Sequence, residues 1–263
     1  MNTHVAVLVL AVFIFAERFV FGNLVGSGEL DIAESDPDSD DIYTDSPDDC
    51  GDKANMDGQI RFQALLQHNL KRTALVLGYV KNGKESAAQN FPQASDMSNL
   101  KYDCDLEYSA FDTALMCKSP KKYSFSDVGS NFATHPLTRP ASLHNPATKQ
   151  EIMKWFEDID EIIEKWWSTA TKSDRLVDYK PQEGNEPMIP FLQMANANTT
   201  KVGCAYNVCD NSDPPTSSPY VLFVCQYGDE RIKIGSPIYK EGSKCSECTG
   251  KCVDYGTLCV RNI

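Results

Sequence analysis

Ten cysteines and four histidines are the residues of this chain best suited to covalent or metal chemistry, and their spacing decides which chemistry it is. Cys245-Ser-Glu-Cys248 has the C-x-x-C spacing of a zinc site, with Cys252 and Cys259 close behind. The competing chemistry is disulfide formation. All ten cysteines (Cys50, Cys104, Cys117, Cys204, Cys209, Cys225, Cys245, Cys248, Cys252 and Cys259) lie downstream of an apolar run at residues 5–16. That run is too short to span a bilayer and sits where a signal-peptide core would, with Gly22 as the favoured cleavage point. An even number of cysteines behind such a leader reads as five disulfides made in an oxidising compartment. With all ten paired, no thiolate is left as a nucleophile, and the chain contains neither Gly-x-Ser-x-Gly nor His-Glu-x-x-His. His68 falls in a helical phrase and is expected to be packed and hydrogen-bonded. His135 and His144 fall in a Pro-rich stretch and are expected in exposed loops.

The elements that must position these residues follow from charge and periodicity. Net charge is −12, and residues 29–49 hold ten acidic groups with no Lys or Arg, leaving the remainder close to neutral. Such a block buries too little apolar surface to offset its ordering entropy, so residues 23–50 are expected as a disordered acidic arm after a signal peptide at 1–22. The acidity also excludes a nucleic-acid footprint, and no later segment is apolar enough to span a membrane. Residues 57–80 carry Ile60, Ala64, Leu65, Ala74, Leu75 and Val76 in a pattern suited to a first amphipathic helix closing near Gly78. Residues 102–117 suit a second, with Asp103 or Asp105 at the positive end of its dipole. Residues 151–167 suit a third, with eight apolar residues from Ile152 to Trp167 opposite a solvated carboxylate face. Two strands are expected near 201–206 and 220–227, joined through a polar, Pro-containing segment. Residues 235–263 have four cysteines and little aliphatic content, so they are expected as a small extension shaped by crosslinks. Asn198-Thr199-Thr200 is a glycosylation sequon.

Several phrases carry a resemblance. They are His68–Arg72 (HNLKR), residues 100–110 (LKYDCDLEYSA), residues 188–206 (MIPFLQMANANTTKVGCAY), residues 218–228 (SPYVLFVCQYG) and the Cys-rich tail. Together they resemble the CAP superfamily (SCP/TAPS, venom-allergen-like), and in order and spacing the activation-associated secreted proteins of parasitic nematodes. The resemblance implies an α+β fold, a three-layer α-β-α sandwich over residues 51–234, with residues 235–263 as a small disulfide-rich C-terminal extension. It also implies that Cys204 pairs with Cys225. Many such proteins hold a divalent metal with two His and two Glu in a central cleft. Carried over one at a time, those positions fall on Tyr123, Ser130, Thr169 (Asp158 in a second alignment) and Pro190. Phe191, Gln193, Met194, Ala195 and Thr199 through Tyr206 fit the signature, whereas Pro190 replaces its His and Asn196 its Trp.

A site of that kind needs imidazole nitrogens and carboxylate oxygens converging on the ion. The expectation is therefore no metal at the tetrad, no cofactor and no enzymatic activity. The resemblance implies instead a secreted, nematode-like protein acting in host–parasite interaction, which binds a host cell-surface or plasma protein on leukocytes or platelets, an integrin included. Arg-Gly-Asp is absent; Cys50-Gly51-Asp52-Lys53 is the nearest phrase. The alternative, also implied by the resemblance, is a carrier of sterol or fatty acid, with a lipid as ligand.

Overall fold

The computed structural model describes residues 50–51, 54–85, 89–139, 145–210, 218–228, 230–254 and 256–261. The expected signal peptide, almost all of the acidic arm, and His144 lie outside them.

Helix α1 (Gly58–Val76) starts where the Asp57 side chain accepts the Ile60 N–H at 2.9 Å, and it ends before Gly78, whose φ is +77°. Its buried stripe is only partly apolar. Arg61, Ala64, His68, Arg72 and Leu75 follow helical spacing inward, so three polar residues sit where a plain amphipathic helix would place aliphatic ones. Strand β1 (Lys101–Tyr102) leads into α2 (Cys104–Leu115), capped by the Asp103 carboxylate on the Leu106 N–H at 3.0 Å. Strand β2 (Ser130–Pro136) follows. His135, expected in a loop, lies in this strand, half-buried against the Trp155 ring at 5.4 Å. The strand could accommodate Pro136 because β2 is a sheet edge, where a missing N–H breaks no ladder.

The third helix expected over residues 151–167 is two helices, α3 (Pro146–Glu157) and α4 (Ile159–Trp167), broken at Asp158. The break lets two parts of one wide apolar stripe meet the same residue. Trp155 packs edge-on to Phe223 at 5.8 Å and Trp166 stacks on it at 5.9 Å. Helix α5 (Ile189–Ala195), for which periodicity gave no element, has all seven residues buried. Strands β3 (Lys201–Cys209) and β4 (Tyr220–Tyr227) complete the main sheet, in the order β1-β3-β4-β2, with β1 parallel to β3 and the rest antiparallel.

One sheet face takes α2. Gln226 donates to the Ser109 carbonyl, and Gly203 lies so close that a Cβ there would sit 2.3 Å from the Glu107 nitrogen. The other face, with Tyr206, Phe223 and Tyr227, receives α1, α3 and α4. The result is a three-layer α-β-α sandwich. Disulfides join Cys50 to Cys104, Cys117 to Cys209 and Cys204 to Cys225, the last two residues lying directly opposite in the β3–β4 register.

The tail forms the hairpin β5 (Lys251–Val253) and β6 (Leu258–Val260), tied by Cys245–Cys252 and Cys248–Cys259. It does not stand apart from the sandwich. The Cys259 N–H donates to Met97 at 2.8 Å, the Asn99 N–H donates to Cys259 at 2.9 Å, and Tyr239 is buried against Phe91 and Tyr179.

Candidate functional site

The four positions singled out for a metal tetrad come together around α5 and the start of β2. Pro190 occupies the first turn of α5, and its carbonyl accepts from Asn131 Nδ2 at 3.0 Å. Thr169 lies in a short 3₁₀ turn after α4. Its Oγ1 accepts the Phe191 N–H at 3.0 Å and donates to the Trp166 carbonyl at 2.7 Å, so it satisfies one of the orphan donors of α5. Ser130 opens β2, and its carbonyl accepts from Gln193 Nε2 at 2.9 Å. The Tyr123 hydroxyl accepts the Phe132 N–H at 3.1 Å, and burial pushes this phenol up to about 12. Asp158, the second alignment's choice, is exposed at the α3–α4 break.

Behind these positions runs a buried polar network whose donors and acceptors can be assigned one by one. His68 contacts the Ala64 carbonyl through Nδ1 at 2.7 Å. A carbonyl only accepts, so Nδ1 carries the proton and Nε2 offers its lone pair. The Tyr227 hydroxyl donates to that Nε2 at 2.9 Å and accepts from Asn131 Nδ2 at 2.9 Å. Asn131 Oδ1 accepts from Gln193 Nε2 at 2.5 Å, and Gln193 Oε1 accepts the Gly129 N–H. The network thus spans α1, β4, β2 and α5 with its polar atoms paired. Burial lowers His68 to about 4, assisted by the nearby Arg72 charge, and raises Tyr227 well above the ordinary tyrosine range. Both side chains are therefore neutral at physiological pH.

Arg72, one helical turn beyond His68, has no exposed surface. Its guanidinium donates to the carbonyls of Ser98 at 2.9 Å, Met194 at 2.8 Å, Asn196 at 2.9 Å and Thr199 at 3.1 Å. Burial lowers its pKa to about 9, which still leaves it charged at neutral pH. One side chain thereby fixes both the 194–199 turn and the segment leading into β1. A second buried arginine, Arg61, forms a bidentate pair with Glu107 at 2.7 and 2.8 Å, and the Tyr102 hydroxyl donates to the same carboxylate.

The donor set does not fit a two-His, two-Glu metal site. Tyr123, Ser130, Thr169 and Pro190 supply no imidazole and no carboxylate, and the side chains of Tyr123 and Thr169 are engaged by backbone groups. Among the described residues, the group of His, Cys, Asp or Glu close enough to share an ion is Cys245, Cys248 and Cys252. Their sulfurs are committed to disulfides. Sequence reasoning had Gln193 and Tyr227 inside matched phrases and connected neither of them to Asn131 or His68. Nor did it assign Arg72 a role. The cue was present in HNLKR, where His68 and Arg72 stand four apart and so share a helix face with Ala64.

Three comparisons bear on this arrangement. The family model described as "CAP: Cysteine-rich secretory protein family" matches residues 60–227. Human cysteine-rich secretory protein LCCL domain-containing 2 is 28% identical over 65% of the chain, which corresponds to 33% of its own length. Hookworm platelet inhibitor 1 of Ancylostoma caninum is 25% identical over 79% of the chain and 80% of its own length. The chain therefore spans about a third of the first relative and most of the second. The crystal structure of NaASP2 with Zn2+ superposes with a TM-score of 0.57 at 25% identity, over 80% of this chain and 99% of that one.

Proposed function

The chain belongs to the cysteine-rich secretory protein (CAP) family, and from that membership we propose that it is a secreted, non-enzymatic binding protein that modulates host blood or immune cells. The observation that carries this reading is the central cleft. Its tetrad positions hold Tyr123, Ser130, Thr169 and Pro190, which supply neither imidazole nor carboxylate, and the Tyr123 and Thr169 hydroxyls are engaged by backbone groups. A scaffold held by a neutral network and disulfides suits presentation of surface residues instead. The similarity to hookworm platelet inhibitor 1 supports a partner on platelets or leukocytes, an adhesion receptor such as an integrin. Leu115 and Met116, 51% and 65% exposed beside the Cys117–Cys209 disulfide, supply an apolar contact of the kind interfaces use. In this reading residues 1–22 are a signal peptide, residues 23–50 an acidic arm, and exposed Asn198 carries a glycan.

The test is binding of the recombinant protein to washed platelets and leukocytes. Saturable binding weakened by Leu115→Asp with Met116→Asp is expected. Absence of saturable binding to any host cell overturns the proposal.

A further inference from the structure

We propose that residues 118–122 are a processing site for a trypsin-type serine protease. Hydrolysis of the Lys121–Lys122 bond converts the single chain into two chains joined by the Cys117–Cys209 disulfide. The stretch Lys118-Ser119-Pro120-Lys121-Lys122 follows α2, and every residue of it is exposed and outside regular structure. Among the described residues, none of this stretch makes a hydrogen bond or an ion pair. A segment without such ties opens at little cost and independently of the rest of the fold, which is what entry into a protease cleft demands.

Cations in other loops are tied down. The Lys84 N–H donates to the Ser173 carbonyl at 2.9 Å, and its ammonium lies 2.9 Å from Asp174. The Lys240 N–H donates to Asp96 at 3.1 Å, and its carbonyl accepts the Ser95 N–H at 2.9 Å. The Lys233 carbonyl accepts the Ser236 N–H at 3.2 Å, next to buried Ile232. Chemistry then selects the protease class. A trypsin-type specificity pocket places a carboxylate against a long cationic side chain, and Lys121 presents one with a second directly after it. Cys117 has a φ of +53°, so the chain turns sharply just before Lys118, whereas the residues before Lys121 are free to extend. That difference places the cut at Lys121. The same lack of ties makes the loop a substrate rather than an inhibitor, whose reactive loop must be held rigid.

Water is the co-reactant. Its oxygen ends on the Lys121 carbonyl carbon, giving a carboxylate, and the Lys122 nitrogen leaves as an amine that takes up a proton. The first chain keeps Cys50–Cys104, and the second keeps Cys204–Cys225, Cys245–Cys252 and Cys248–Cys259, so Cys117–Cys209 alone joins them. Both sides of the cut are anchored. The Tyr220 hydroxyl donates to the Cys117 carbonyl at 2.6 Å, and the Tyr123 hydroxyl accepts the Phe132 N–H at 3.1 Å. The cut touches neither the Arg72 bonds nor the His68–Tyr227–Asn131–Gln193 network, so the sandwich survives it. Leu115 and Met116, exposed at the end of α2, then stand close to a free chain end.

Digestion of the native full chain with trypsin, read by intact mass with and without reductant, tests the site. The parent is compared with Lys121→Gln plus Lys122→Gln, with Lys118→Gln, and with Lys233→Gln in another exposed loop. The first product should have gained one water and should separate into two chains only after reduction. Its Tm should stay within about 5 °C of the parent. The double variant should slow this cut about tenfold or more, and the single variants should leave it unchanged. Urea well below the unfolding transition should not accelerate it, because opening is local. A faster first cut elsewhere within residues 54–261, chains that part without reductant, or a nicked form that no longer melts cooperatively overturns the proposal. So does an unchanged rate in the double variant, a lost cut in either single variant, or a urea dependence matching global unfolding.

Discussion

The centre of the sandwich and its C-terminal hairpin solve the same problem, holding irregular backbone in place, by opposite means. In the centre, Arg72 ties the 194–199 turn to Ser98, and His68, Tyr227, Asn131 and Gln193 join four elements far apart in sequence. In the hairpin, two disulfides with separations of 7 and 11 residues do the holding. The hydrogen-bonded device works only when every partner is in position and water is excluded, so it is cooperative with the whole fold. The covalent device is local and needs only an oxidising compartment. The contrast explains why the tail tolerates a sparse core and the centre does not.

Breaking the centre should have the largest effect. Arg72→Met leaves the carbonyls of Ser98, Met194, Asn196 and Thr199 buried without their donor. Urea denaturation should show a loss on the order of 5 kcal/mol, or no folded protein. A loss below about 1 kcal/mol would show that the turn holds itself.

Acid should open the same region next. His68 titrates near 4 in the fold, below its ordinary 6.5, because burial disfavours the imidazolium. The unfolded chain takes up this proton as pH falls from 6.5 towards 4 while the folded chain does not. Stability from this group is complete above 6.5 and declines through that window by up to about 3 kcal/mol. Protonated Nε2 could no longer accept from Tyr227. Denaturation midpoints of the parent and His68→Gln, compared between pH 7 and pH 4, should show the steeper decline in the parent.

The tail should respond least and only locally. Removing Cys245–Cys252 by paired Ser substitutions should cost about 2 kcal/mol. Hydrogen exchange should rise over residues 245–261 while the Tyr227 and Gln193 amides stay protected. Loss of protection in both regions together would erase the distinction drawn between them.

Much of this was legible in the sequence because it depends on pattern. An acidic start to α2 at Asp103 or Asp105, the close of α1 near Gly78, and the β3–β4 pair followed from local chemistry, and the family followed from phrases such as VGCAY. What stayed hidden depends on tertiary context. The break at Asp158 arises because two turns of one apolar stripe both reach Phe223, and nothing in the period reveals that convergence. Strand β2 was obscured by the prolines around His135, which an edge strand accommodates. Helix α5 is buried on all sides and so has no amphipathic signature. At the site, Tyr123, Ser130, Thr169 or Asp158, and Pro190 were reached only through the family resemblance. The neutral network behind them was not legible, because Asn131, Gln193 and Tyr227 are polar residues whose pairing is set by packing alone.

The central claim is that this cleft is a metal-free part of a binding scaffold. Metal analysis of the purified protein, coupled to thermal melting with and without EDTA, tests it most directly. The account predicts zinc well below one per chain and a Tm that EDTA leaves unchanged. One tightly bound zinc per chain, removed by EDTA with a fall in Tm and lost on substitution of Tyr123 or Thr169, would contradict it.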